Sequence, residues 1–292
     1  MDTFLEMWRS GFLRDSLIAS LLVGFFCPLV GVYFVLRRMV FLGVALPQVS
    51  MAGIAFSFYV YTLMNPGHEH EQAGEQMIAL VGSFAFTLLA MMVLAFFERR
   101  RETVEARIGV TYALAAAATM FFLAKDPQGQ AQTIQLLKGE LLAATWKSLS
   151  LLGGVLGGVA LALIAFRKEL LLVSFDRDLA IVFRKRAGLW DLVLYLLIGA
   201  VISVGVMTAG PLPTFGFLVV PPVTMRMVAG RMLTFTLGSA LLGAISAFVG
   251  FYCSLQFDVP VGCAEVGVAS LALLSVGGTI GAARAIRRWR GA

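Results

Sequence analysis

The sequence predicts an all-α polytopic membrane protein of about nine transmembrane helices, with eight as the other possible count. Three observations carry that prediction. Of the 292 residues, 59% are hydrophobic and only 14% charged, whereas a soluble domain is nearer half apolar and a quarter charged. The apolar residues gather in runs long enough to cross a bilayer, which takes about 20 residues. Those runs do not alternate in polarity. They therefore suit helices, whose backbone bonds close within the segment, and not barrel strands.

Taken in order, the opening MDTFLEMWRSGFL (segment 1–14) reads as an amphipathic helix lying at the interface. Asp2 and Glu6 ahead of the first apolar run do not fit a cleaved signal peptide. The candidate spans are 15–36, 39–64, 77–97, 107–124, 147–166, 189–209, 212–230, 232–254 and 262–283. The weakest are 107–124, which is short, and 212–230, which Pro211, Pro213, Pro221 and Pro222 flank and interrupt. No linker or low-complexity stretch sets off a soluble domain, so 1–292 reads as one transmembrane domain.

The basic residues orient these spans. With nine crossings, 18 of the 23 lysines and arginines fall on one side, among them Arg37, Arg38, Arg99, Arg107, Arg167 and Arg184. By the positive-inside rule that side is cytoplasmic, which puts the C-terminus inside and the N-terminus outside. The net charge of +6 is thus an orientation signal, and no nucleic-acid partner is expected. Cys27, Cys253 and Cys263 lie in or beside apolar runs without CxxC spacing and read as small buried hydrophobes.

Catalytic constellations are missing. The two histidines, His68 and His70, share the loop NPGHEHEQAGEQ, and the chain has no HExxH and no GxxxxGK[ST] phosphate loop. A transport function must therefore draw its energy from another subunit or from an ion gradient. Gradient-driven carriers bury ionisable groups at mid-membrane depth; Glu265 lies near a span end and Asp191 near the cytoplasmic face, which leans away from ion coupling. His68, Glu69, His70 and Glu71, with Glu75 nearby, form a cluster that either captures a divalent cation loosely or is a solvated loop.

Three stretches remain. In MVFLGVALPQVSMAG (39–53), Pro47 removes a backbone donor and is expected to break or kink its helix, with Gln48 and Ser50 as polar groups at the break. Broken helices expose ligands to a transported substrate; a packing kink with Gln48 bonded to a neighbouring helix is the alternative. TAGPLPTFGFLVVPPVTMRM (208–227) reads as a second broken region, or as a re-entrant turn. The longest cytoplasmic connection, 167–188, has an apolar start and then Asp176-Arg177-Asp178 opening a short amphipathic segment. It is either a helix lying on the membrane surface or one that docks a cytoplasmic partner.

At these residues the chain resembles the permease subunits of ABC transporters that import zinc, manganese and iron. The resemblance is carried by GVYFVLRRMVFLGVALPQVSMAGIAF (31–56), LLKGELLAATWKSL (136–149), RKELLLVSFDRDLA (167–180), and FLVVPPVTMRMV (217–228) with VGFYCSLQFDVPVG (249–262). It implies a permease of the bacterial cytoplasmic (inner) membrane, not an enzyme, with no intrinsic cofactor and a divalent metal as transported substrate. It also implies a homodimer with the pathway between protomers. A cytoplasmic ABC ATPase would dock on 167–188 through Phe175, Asp176, Arg177 and Asp178, and an extracytoplasmic solute-binding protein would deliver the metal. The sequence departs from the family where an intramembrane aspartate and histidine are usual: Val44 and Gln48 stand there. The substrate path expected from this is Val44, Pro47, Gln48 and Ser50. A neutral path of Gln48, Ser50, Met51 and Met207 would also suit a metal chelate of the siderophore or cobalamin kind. An ion-coupled carrier is the remaining alternative.

Overall fold

The computed structural model describes residues 11–64, 72–97, 104–125, 146–175 and 187–290. Ten helices make up these residues: α1 (Gly11–Leu36), α2 (Leu42–Met64), α3 (Gln72–Phe97), α4 (Val104–Lys125), α5 (Trp146–Ala165), α6 (Arg167–Phe175), α7 (Ala187–Ala209), α8 (Pro211–Val228), α9 (Met232–Phe257) and α10 (Val261–Arg290). Eight are long and apolar enough to cross a membrane. The short span expected at 107–124 is one of them; α8, expected as the ninth, is not. Of the interfacial segment expected at 1–14, residues 1–10 lie outside the described residues and Gly11–Arg14 are already the first turn of α1.

Hydrocarbon does not drive apolar helices together, so close packing and small residues must. The chain supplies them at two seams. At Gly24 of α1 a Cβ would stand 2.8 Å from the Gly243 carbonyl oxygen of α9, and at Gly53 of α2 it would stand 2.8 Å from Phe86 Cβ of α3. Helices α1, α8, α9 and α10 form one packed group and α2, α3 and α4 another, with α7 touching members of both. Aromatic pairs fasten the second group, Phe56 with Phe86 and with Phe122, each at 5.2 Å between ring centroids. The fully buried Phe34, Phe217, Phe251, Leu46, Met51 and Leu194 mark the core.

The region expected to be broken at 208–227 is broken once, near its start, and not at its later prolines. α8 runs unbroken through Pro221 and Pro222, and the chain breaks before it, at Gly210. There φ is 86° and ψ 170°, an extended backbone at positive φ that is open in practice only to glycine. Pro211 then occupies the first helical position, where its missing N–H matters least. Pro221 and Pro222 withhold donors from the Phe217 and Leu218 carbonyls, four residues before them. Gly31 of α1 sits directly against the Leu218 carbonyl. Of the three cysteines, Cys27 is buried as expected, but Cys263 is exposed on α10 because it lies on the outward side of a little-buried helix.

Candidate functional site

The site begins where α1 ends. Met39 N–H bonds the Phe34 carbonyl at 2.9 Å, and Arg38 takes a left-handed φ of 57°, so the chain reverses within a few residues. The first turn of α2 is wound tightly, Gly43 N–H to Val40 O at 3.0 Å and Val44 N–H to Phe41 O at 3.1 Å. Pro47 follows in the second turn. It withholds one bond, that of the Gly43 carbonyl, and the helix continues on both sides. Of the break or kink expected here, the break is absent: a proline this close to a helix start disturbs few bonds.

The four residues expected along the substrate path divide by the helical period. Val44, 37% exposed, and Gln48, half-buried, lie four apart on one face, with exposed Phe41 beside them. Pro47 and Ser50 are buried. Ser50 Oγ is 2.6 Å from Ser83 Oγ, which ties α2 to α3. Met51, a candidate in the neutral path, is fully buried, whereas Met207 is half-buried. Towards the other end of α2 an apolar cavity of about 480 Å³ opens between α2 and α3, lined by Phe56, Val60, Met64, Met77, Val81 and Phe86 among others. It offers an ion little.

Of the expected coupling residues, Phe175 closes α6 and is 61% exposed. Asp176, Arg177 and Asp178 lie outside the described residues, as do His68, Glu69, His70 and Glu71. Among the described residues no group of three or more His, Cys, Asp or Glu side chains is placed to hold a metal.

Sequence reasoning missed a polar cluster beside this site. Arg37 donates from Nη1 to Asp191 Oδ1 of α7 at 2.8 Å and from Nε to Ser174 Oγ of α6 at 3.1 Å. Its guanidinium carbon lies 5.9 Å from the Tyr195 ring centroid. The Arg37 and Asp191 side chains are each 11% exposed. The signal was available in Asp191, an acid within an apolar span, because such a group requires a partner. Glu265 was expected near a span end; it is fully buried against Gly250 of α9, with the Ser20 hydroxyl as its polar neighbour.

Comparison with known proteins bears on this arrangement. The chain is 25% identical over 267 residues to the manganese transport system membrane protein MntC of Halalkalibacterium halodurans, covering 91% of this chain and 87% of that one. It is 26% identical over 270 residues to the manganese import system permease protein ScaB of Streptococcus gordonii, covering 90% and 89%. Its fold matches PsaBC from Streptococcus pneumoniae, solved in complex with Fab, with a TM-score of 0.80 at 22% identity over 94% of each chain. The model of the ABC 3 transport family matches residues 9–277. Together with the eight membrane-crossing helices, this makes the protein a multi-pass transport subunit of the cytoplasmic membrane and not an enzyme, and the chain belongs to the ABC 3 transport family.

Proposed function

We propose that this chain is the permease of an ABC importer for a divalent transition-metal ion, and that manganese leads zinc and iron as cargo. The observation that carries the reading is the outward face of α2, where Val44 and Gln48 stand side by side at the positions of the family's aspartate and histidine. A glutamine amide is a hard oxygen donor. Such oxygens suit manganese, whereas imidazole and thiolate favour zinc. The relatives in H. halodurans and S. gordonii are named for manganese, which agrees.

In this reading two copies of the whole chain, 1–292, face each other across the path. The basic connections after α1, α3 and α5 lie in the cytoplasm, the N-terminus outside, and the residues before α1 against the membrane surface. Segment 167–188 docks a separate ATPase through Phe175, Asp176, Arg177 and Asp178, and a solute-binding protein releases the ion at the outer mouth. The imidazoles and carboxylates of His68, Glu69, His70 and Glu71, in the outside connection, raise the local cation concentration there. ATP binding and hydrolysis on the partner then alternate access to the path.

The neutrality of Val44 and Gln48 favours a second reading, a metal chelate that brings its own ligands. Uptake into vesicles separates the two. The permease is reconstituted with its ATPase and binding protein, the latter loaded in turn with manganese, zinc, ferrous iron and a chelated metal. ATP-dependent uptake of the free ion supports the first reading; uptake of the chelate alone overturns it in favour of the second.

A further inference from the structure

We propose that Arg37 is the joint through which movement of α6 reaches the substrate face of α2. The inference rests on the reading of 167–188 as the ATPase-docking segment.

Helix α6 opens that segment and is held in two ways. Its apolar side packs on the start of α7, with Val173 against Ala187 and Phe166 5.3 Å from the Trp190 ring. Its polar tie is Ser174, which accepts from Arg37 Nε. The same guanidinium donates to Asp191 of α7 and lies near Tyr195. One rigid planar group therefore binds α6 and α7 at once, as a lysine with its single point charge would not. Charge-assisted bonds of this kind, largely shielded from water, are among the stronger and more directional ones.

What Arg37 is attached to matters as much. It is the residue just past the end of α1, and α2 begins at Leu42. The intervening residues have little freedom. Arg37 N–H bonds Tyr33 O at 3.0 Å, Arg38 is fixed in the left-handed region, and Leu42 N–H bonds Met39 O at 3.0 Å. Val44 stands two residues into α2 and Gln48 one turn beyond. A displacement of α6 thus passes through Ser174 and Arg37 into a stiff turn whose other end carries Val44 and Gln48. Arg37 touches no cargo; it is a positioning residue.

The test uses the reconstituted complex of permease, ATPase and binding protein, and reads ions taken up per ATP hydrolysed by assembled complexes. For Arg37→Gln the ATPase stays bound and hydrolysis persists, while uptake per ATP falls about tenfold, within the range of ordinary allosteric coupling energies. Ser174→Ala lowers the ratio by a smaller factor, and Arg37→Lys restores part of what Arg37→Gln loses. A purely structural role would lower the yield of complex and leave the ratio unchanged. Because Arg37→Gln leaves Asp191 without its cation, Arg37→Gln/Asp191→Asn removes both charges and tests the joint if the single variant does not fold. Wild-type coupling together with an unchanged ratio in Ser174→Ala and in the double variant overturns the joint alone. A wild-type permease that retains no ATPase and takes up nothing with ATP overturns the docking reading, and the joint with it.

Discussion

The seam between α1 and α8 gives a stability prediction whose size follows from the structure. Pro222 has no N–H to offer the Leu218 carbonyl, and Gly31 of α1 fills the space in front of that oxygen. A Cβ at Gly31 would overlap the oxygen, lie 2.8 Å from the Leu218 carbonyl carbon and stand 3.0 Å from Pro222 Cγ. Real Cβ atoms do not approach backbone that closely, so Gly31→Ala must part the helices by about 1 Å, and overpacking of this kind costs about 1–3 kcal/mol. The Leu218 carbonyl, which Pro222 leaves without a donor, then faces a widened seam, which adds to that cost. Against this, alanine is better than glycine in a helix by about 1 kcal/mol. The clash wins, by about 1–2 kcal/mol. Gly154→Ala is the control, because nothing lies within 4 Å of a Cβ there; it keeps the propensity gain and meets no clash. At about 2–4 °C per kcal/mol, the two variants in detergent should differ by about 5 °C or more in the temperature at which the monodisperse size-exclusion peak disappears. A Gly31→Ala midpoint equal to or above that of Gly154→Ala refutes the close-packed seam.

Gln48→Leu keeps the helix and removes the amide beside Val44 near the start of α2; uptake into vesicles should fall about tenfold, the worth of one interaction of about 1.4 kcal/mol, with expression unchanged. Wild-type uptake would assign Gln48 to packing. Restoring the family pair with Val44→Asp/Gln48→His should make the permease hold zinc measurably in equilibrium dialysis where the wild type does not, since a carboxylate and an imidazole are strong ligands for it. Equal binding by both proteins would show that these positions do not meet the ion. Glu265→Gln neutralises a carboxylate buried beside Ser20 at nearly constant volume, and a charge in an apolar interior is costly; the thermal midpoint should hold or rise, and a drop of about 5 °C would show that the carboxylate is tied to something essential.

Hydropathy made most of the fold legible. The apolar runs return as helices with ends shifted by a few residues, because in hydrocarbon a run of that length has almost no other way to satisfy its backbone. The prolines misled. Pro47 read as a break or a kink and Pro221 and Pro222 as part of a broken region, yet all three sit inside continuous helices, and the break is at Gly210, where φ 86° needs a glycine. Whether a freed carbonyl breaks a helix depends on what stands opposite it, and the Gly31–Leu218 approach joins elements distant in the chain. The polar pairs were illegible for the same reason. Ser50 and Ser83 are 33 residues apart, Arg37 and Ser174 137. Periodicity alone could have separated Val44 and Gln48 from Pro47 and Ser50, but not told which pair faces α3.

Where the polar groups went divides the labour within the chain. A helix bundle in lipid tolerates few of them, and each must be paired or face water. The charged pair of Arg37 and Asp191, with Ser174, binds three elements at one end of the bundle, and the Ser50–Ser83 pair fastens α2 to α3. The outward face of α2, by contrast, carries Phe41, Val44 and Gln48, one neutral amide and no charge. On the proposed path an ion meeting such amides keeps most of its water, so ions of equal charge and similar size are poorly told apart there. Selection must then come before entry, in the protein that delivers the ion. Conduction requires binding favourable enough to admit an ion and weak enough to release it, and a ligand-poor path meets the second condition easily. What such a permease needs to hold firmly is its own joint, which is where its best bonds are.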